Sequence, residues 1–184
     1  MLDDTRYLEP GFEGAKYVMS PPLRKPHDVA VLRQALADGE IDTIATDHCS
    51  FNLHGQKDRG LGDFRKIPNG APGVEHRPAL IMTSFQDTLG PMDFCRLMST
   101  NPAKVFGMYP RKGVLQKGSD ADICVWDPNV RWTISAAKQH QAVDYTPYEG
   151  FEATGRAHLV YVGGELVVRD GEPLGPKPGT YVAR

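Results

Sequence analysis

The feature that most limits the fold of this chain is a strand–helix–strand succession between Lys16 and Thr46. Lys16-Tyr17-Val18-Met19 reads as a short strand. Ser20-Pro21-Pro22 closes it, because consecutive prolines forbid helical continuation. A helix follows: Asp28 is placed to cap it, Val29, Leu32, Ala35 and Leu36 recur at helical spacing, and Gly39 stops it. The β-branched run Ile41-Asp42-Thr43-Ile44-Ala45-Thr46 reads as a second strand. Strand, helix and strand in about thirty residues is the pattern of a parallel sheet, whose neighbouring strands need a crossover of a dozen or more residues. The second strand breaks into Asp47-His48-Cys49-Ser50, a polar cluster at the sheet edge where α/β folds bind ligands.

Residues 51–73 hold five glycines and no sustained periodicity. A loop of that length predicts a cover over a site, with Lys57-Asp58-Arg59 and Arg65-Lys66 as its solvated face. Residues near 74–106 read as helical. Leu80, Ile81, Ser84, Phe85 and Leu89 form one stripe, and Met92, Cys95, Leu97 and Met98 another. Asn101-Pro102 opens a last turn that ends at Gly107. After Tyr109-Pro110 the pattern changes to short strands at 122–126, 132–134, 157–162 and 165–169, with Gly163-Gly164 as a hairpin turn between the last two. These shifts place a boundary near residue 110. The Pro- and Gly-rich stretch from Pro173 to Arg184 reads as a tail lying on a surface or a neighbouring subunit.

Composition excludes several classes of function. A chain of 184 residues is long enough for a generic core, and its net charge of −2 leaves no electrostatic footprint for nucleic acid or an anionic membrane. No apolar run approaches the roughly 20 residues that cross a bilayer, and the N-terminus is acidic where a signal peptide would be basic. Three widely spaced cysteines, with no CxxC pair, argue against a disulfide framework or a zinc knuckle and suit a reducing cytoplasm.

Asp47 is the strongest chemical candidate. At a strand end a carboxylate can bind a metal or act as general base on a metal-activated water; it can equally cap the following turn. Ser20 can present its backbone to a ligand, although the Pro-Pro turn alone accounts for it. A triad of Ser20, His48 and Asp47 is poorly supported. No GxSxG occurs, and adjacent side chains on an extended strand point to opposite faces. The six histidines include no HxH pair and no HExxH, so a self-contained zinc site is not encoded. GxxxxGK[ST] and GxGxxG are also missing, which argues against nucleotide binding.

The segments GAKYVMSPPLR (14–24), DTIATDHCSFN (42–52), KDRGLGDFRKIPNGAPGVEHR (57–77), NPAKVFG (101–107) and KGSDADICVWDP (117–128) resemble, in order and spacing, the dihydropyrimidinase and D-hydantoinase branch of the amidohydrolase superfamily. NGAPGVEHR separates this branch from more distant amidohydrolases. The resemblance implies a (β/α)8 TIM-type barrel with an attached β-sandwich, hydrolysing the cyclic amide bond of dihydropyrimidines and 5-substituted hydantoins. It also implies two divalent metal ions, zinc by family expectation. Asp47 matches the aspartate that ends the last barrel strand, binds the more exposed metal and shuttles the proton. Ser20 and Asn69 match positions whose backbone groups hydrogen-bond the substrate's imide ring.

Aligned in this way, Lys16–Met19 is the seventh barrel strand and Thr43–Thr46 the eighth. The family's HxH pair, carboxylated lysine and two further histidine ligands have no counterpart. The chain is therefore expected to be the C-terminal portion of an α/β hydrolase. Residues 1–110 would belong to the barrel, 111–172 to the β-sandwich and 173–184 to the tail, and the piece alone would be inactive and hold no metal tightly. The resemblance further implies a small cyclic amide substrate and a homotetramer, with neither nucleic acid nor membrane as partner. Collapsin-response-mediator proteins, which share the fold, lack the metals and act as assembly partners, are the alternative; Asp47 and the intact loop favour the enzyme.

Overall fold

Residues 1–175 and 179–183 are described by the structure, a computed structural model. They divide into two compact units, each assembled from segments far apart in sequence. The first comprises Met1–Glu40, Thr46–Arg77 and Trp132–Ala153; the second comprises Ile41–Ala45, Pro78–Arg131 and Thr154–Arg184.

In the first unit two 3-10 turns, Asp4–Leu8 and Glu13–Tyr17, precede helix α1 (Pro26–Ala37). The Tyr7 hydroxyl accepts the Leu23 N–H at 2.9 Å, tying the first turn to the approach of α1. The helix begins two residues before the predicted cap. Pro26, whose fixed φ suits a first helical position, opens it, and Asp28 lies one turn in, accepting the Lys25 N–H at 3.1 Å. Gly39, at φ +78°, leaves the helix in the left-handed conformation that glycine adopts without a Cβ penalty. Only Leu36 of the predicted apolar stripe is buried, and Leu32 is 58% exposed.

The two predicted barrel strands are not strands here. Glu13–Tyr17 closes as a 3-10 turn, and Val18 leaves it in extended backbone. Residues 41–50 carry no regular structure. A parallel strand exists only through its ladder, and among the described residues neither segment has a strand beside it. Their backbone groups bond elsewhere: the Val18 carbonyl accepts the Gly70 N–H at 3.0 Å, and the Ile44 N–H donates to the Leu97 carbonyl at 3.3 Å.

The long loop is ordered by two further 3-10 turns, Lys57–Gly60 and Phe64–Lys66. Gly60 is required where these turns meet, because a Cβ there would stand 2.1 Å from Ile67 Cγ1. Glu149 and Phe151 close the remaining piece of the unit: Glu149 accepts the Ala136 N–H at 2.8 Å and the Phe151 carbonyl accepts the Ile134 N–H at 2.9 Å.

The second unit holds the predicted helical region, broken into α2 (Arg77–Phe85, its first residue counted with the other unit), α3 (Pro91–Cys95), a π-helical turn (Arg96–Thr100) and α4 (Asn101–Val105). Its core is Ala79, Leu80, Ile81, Phe85, Leu97 and Ala103, with Leu97 fully buried. Gly113 packs against α4; a Cβ would lie 2.5 Å from that of Ala103, and the Gly113 carbonyl accepts the Thr100 hydroxyl at 2.7 Å. A four-stranded sheet follows in the order β1 (Ile123–Thr133), β2 (Glu152–Val162), β3 (Glu165–Arg169), β4 (Glu172–Pro173), the last two residues of β1 and the first two of β2 being counted with the other unit.

The two strands predicted at 122–126 and 132–134 are one. Pro128 is tolerated inside β1 because that strand is the sheet's edge, where a missing N–H need not break a ladder. Gly163 and Gly164, at φ +55° and +85°, form the two-residue turn predicted between β2 and β3, with Val162 opposite Glu165. The predicted tail lies in part outside the described residues. Its start is not a tail: Pro173 pairs with Val168, and the Leu174 N–H donates to the Val167 carbonyl at 2.9 Å.

Candidate functional site

Residues 68–74 (PNGAPGV) gather the sequence-predicted site residues of the first unit. On one side the Gly70 N–H donates to the Val18 carbonyl at 3.0 Å, which brings Asn69 beside the segment that ends at Ser20. On the other side the Cys49 N–H donates to the Ala71 carbonyl at 3.3 Å. His48 Nδ1 accepts from the Gly73 N–H at 3.1 Å and the Val74 N–H at 3.3 Å. These bonds fix the residues that follow Asp47. Gly70 permits the approach, because a Cβ there would lie 2.3 Å from the Cys49 carbonyl oxygen.

The structure thus joins the three segments that carry Ser20, Asp47 and Asn69, though no hydrogen bond links the three residues to one another. All three are exposed. Among the described residues the Asp47 carboxylate has no hydrogen-bond or ion-pair partner. The Ser20 N–H and the Asn69 N–H likewise have no protein acceptor, and the Asn69 carbonyl meets Cys49 Sγ at 3.9 Å. Asp47 sits at φ +47°, a left-handed conformation that aspartate tolerates better than most residues, at a cost of order 1 kcal/mol. Such a backbone persists only where surrounding contacts over-determine it, and the His48 and Cys49 bonds do so here. Among the described residues no group of three or more His, Cys, Asp or Glu is placed to hold a metal ion.

Sequence reasoning missed the residue beneath the loop. Lys57, expected on a solvated face, is fully buried. Its ammonium donates to the Val18 carbonyl at 2.9 Å and the Pro68 carbonyl at 3.0 Å. Burial drives its pKa down to about 8, with the neighbouring Cys49 acting in the opposite direction. The only sequence signal was its place between a glutamine and a charged run, which does not distinguish a buried lysine from a solvated one.

Glu75 was also missed. It accepts the backbone N–H groups of His140 and Gln141 at 2.8 and 3.0 Å and contacts His140 Nδ1 at 2.9 Å. Burial alone would raise the Glu75 pKa, but these bonds outweigh it and hold the carboxyl below its ordinary value. Beside it His76 is buried against Trp132 and edge-on to Tyr148, its pKa lowered by burial. Two long-range ties close the unit: Asp144 accepts from the Leu53 and His54 N–H groups at 2.6 and 3.0 Å, and the Tyr145 hydroxyl donates to the Lys16 carbonyl at 3.2 Å.

Residues 17–167 match the model of the amidohydrolase family, and the chain belongs to that family. Within it, the chain is 46% identical to a D-hydantoinase of Geobacillus stearothermophilus over 98% of its own length and 39% of that relative. It is 40% identical to a dihydropyrimidinase of Arabidopsis thaliana over 99% of its length and 35% of the relative. Among solved structures it superposes on a portion of a D-hydantoinase with a TM-score of 0.92 at 44% identity, covering 95% of this chain and 38% of that one. A D-hydantoinase (dihydropyrimidinase) from Thermus sp. gives a TM-score of 0.91 at 46% identity, covering 96% and 39%. The chain therefore spans about two-fifths of the length of the relatives it matches. No helix among the described residues is long and apolar enough to cross a membrane.

Proposed function

We propose that the protein carrying this chain is a metal-dependent cyclic amidohydrolase that opens dihydropyrimidine or 5-substituted hydantoin rings, and that this chain supplies its proton shuttle and ring-binding loop. One observation carries the reading: the segments bearing Asp47, Ser20 and Asn69 meet on residues 68–74, and among the described residues the Asp47 carboxylate and the Ser20 and Asn69 N–H groups have no protein partner. The similarity to D-hydantoinases and dihydropyrimidinases over nearly the whole chain supports it. The parent fold is then a (β/α)8 barrel with a β-sandwich, residues 1–110 belonging to the first and 111–172 to the second.

Asp47 fits as one ligand of a metal pair, being an exposed, unpartnered carboxylate held in fixed backbone; the other ligands would come from parts of the protein outside this chain. When bound, a divalent metal pair, zinc by family resemblance, supplies an ionised water near neutral pH and polarises the ring carbonyl. Asp47 takes the proton of the attacking water and returns it to the ring nitrogen as the C–N bond breaks. Ser20 and Asn69 hold the imide edge through backbone groups, which fixes the ring for attack on one carbonyl. This chain alone lacks the remaining ligands and is inactive in this reading.

A homotetramer in the cytoplasm completes the proposal. Three free cysteines fit a reducing compartment. In the full-length protein Asp47→Ala should lower kcat for hydantoin hydrolysis by about 10²- to 10⁴-fold, the usual weight of a positioned proton carrier. Near-normal turnover by that variant sinks the assignment. About two zinc or similar ions per subunit of the unsubstituted protein would exclude a non-catalytic assembly protein.

A further inference from the structure

We propose that Lys57 is a positioning residue for ring binding, setting the two loops that carry Ser20 and Asn69 through a single buried ammonium. The inference rests on the reading of Ser20 and Asn69 as the ring-binding positions. Its own support is geometric. The ammonium donates to the Val18 carbonyl, two residues before Ser20, and to the Pro68 carbonyl, one residue before Asn69. The Val18 carbonyl also accepts the Gly70 N–H, so the ammonium and the two loops share one oxygen.

Lys57 is itself held from behind. Its N–H donates to the Asn52 carbonyl at 3.1 Å, and the turn it begins is locked where Gly60 abuts Ile67. A fully buried cation with no carboxylate partner among the described residues is costly, and two peptide carbonyls are what offsets it. The same bonds act on the site. A cation on the Pro68 oxygen withdraws electron density across the Pro68–Asn69 peptide and makes the Asn69 N–H a stronger donor, and that N–H has no protein acceptor. Lys57 thereby sets both the spacing of the two loops and the strength of one of their donors, without touching the ring.

The test is steady-state kinetics of the full-length holoenzyme with Lys57→Met, which keeps the stem and removes the charge, beside Lys57→Gln, which restores one donor. The expected result is a KM for hydantoin about tenfold higher in Lys57→Met, kcat within about threefold, unchanged metal content, and partial recovery in Lys57→Gln. A KM within twofold of the parent in folded Lys57→Met overturns the proposal, as does a loss confined to kcat. Should both variants fail to fold, nitrogen NMR of the unsubstituted holoenzyme decides, with 5,5-dimethylhydantoin as the probe. The Lys57 Nζ and Asn69 amide signals must then shift together. An Asn69 shift with a stationary Lys57 signal refutes the role of Lys57; an unmoved Asn69 signal refutes the ring-site reading instead.

Discussion

Gly70→Ala is the sharpest perturbation of the site loop. At φ +156° the backbone disfavours any side chain, and an added Cβ would lie 2.3 Å from the Cys49 carbonyl oxygen and 3.0 Å from Cys49 Sγ. The nearest obstacle is backbone, so the 68–74 segment must retreat by about 1 Å to reach ordinary contact. That retreat breaks the Gly70 N–H bond to Val18 and the Cys49 N–H bond to Ala71. Two backbone bonds at about 1 kcal/mol each, with at least 1 kcal/mol of conformational strain, sum to about 3 kcal/mol. Amide hydrogen exchange reads this locally: exchange at Cys49 and Gly73 should quicken on the order of a hundredfold in the variant. Adding Cys49→Ala should not restore protection, because the colliding oxygen belongs to the main chain. Unchanged exchange, or rescue by Cys49→Ala, would refute the reasoning.

Two further outcomes are expected. Leu97→Ala removes a fully buried side chain from the second unit and should lower stability by about 2–5 kcal/mol, measured by urea unfolding of the full-length protein. Glu75 has a folded-state pKa below its unfolded value, so its contribution is present above about pH 4.3 and lost as pH falls through the lower folded value. Exchange at the His140 and Gln141 amides should therefore accelerate on acidification, and Glu75→Gln should abolish that pH dependence.

Legibility in the sequence divides along physical lines. The Gly163-Gly164 hairpin was readable because two positive-φ positions between apolar runs admit few alternatives. The helical stretch up to Gly107 was readable in extent, but its breaks at Leu89-Gly90 and its π-helical turn were not, since periodicity tolerates an inserted residue. Lys16–Met19 and Thr43–Thr46 read as strands because β-branched and aromatic content reports what fits a sheet, not whether a neighbouring strand is present. The stretches at 122–126 and 132–134 read as two strands, whereas the edge position of β1 tolerates Pro128 and allows one. Lys57 misled because charge in a glycine-rich loop usually signals solvent, and the carbonyls that satisfy it lie 39 and 11 residues away.

The bonds from Asp144 to Leu53 and from Tyr145 to Lys16 span 91 and 129 residues. The first unit therefore cannot finish until the stretch beyond residue 140 has left the ribosome, and until then Lys16 and Leu53 wait without these partners. Contacts so distant carry a large closure entropy and slow folding, and the exposed intermediate is the form open to aggregation and proteolysis. A stop codon placed shortly before Asp144 would leave every proposed site residue encoded and the fastening that holds them unmade.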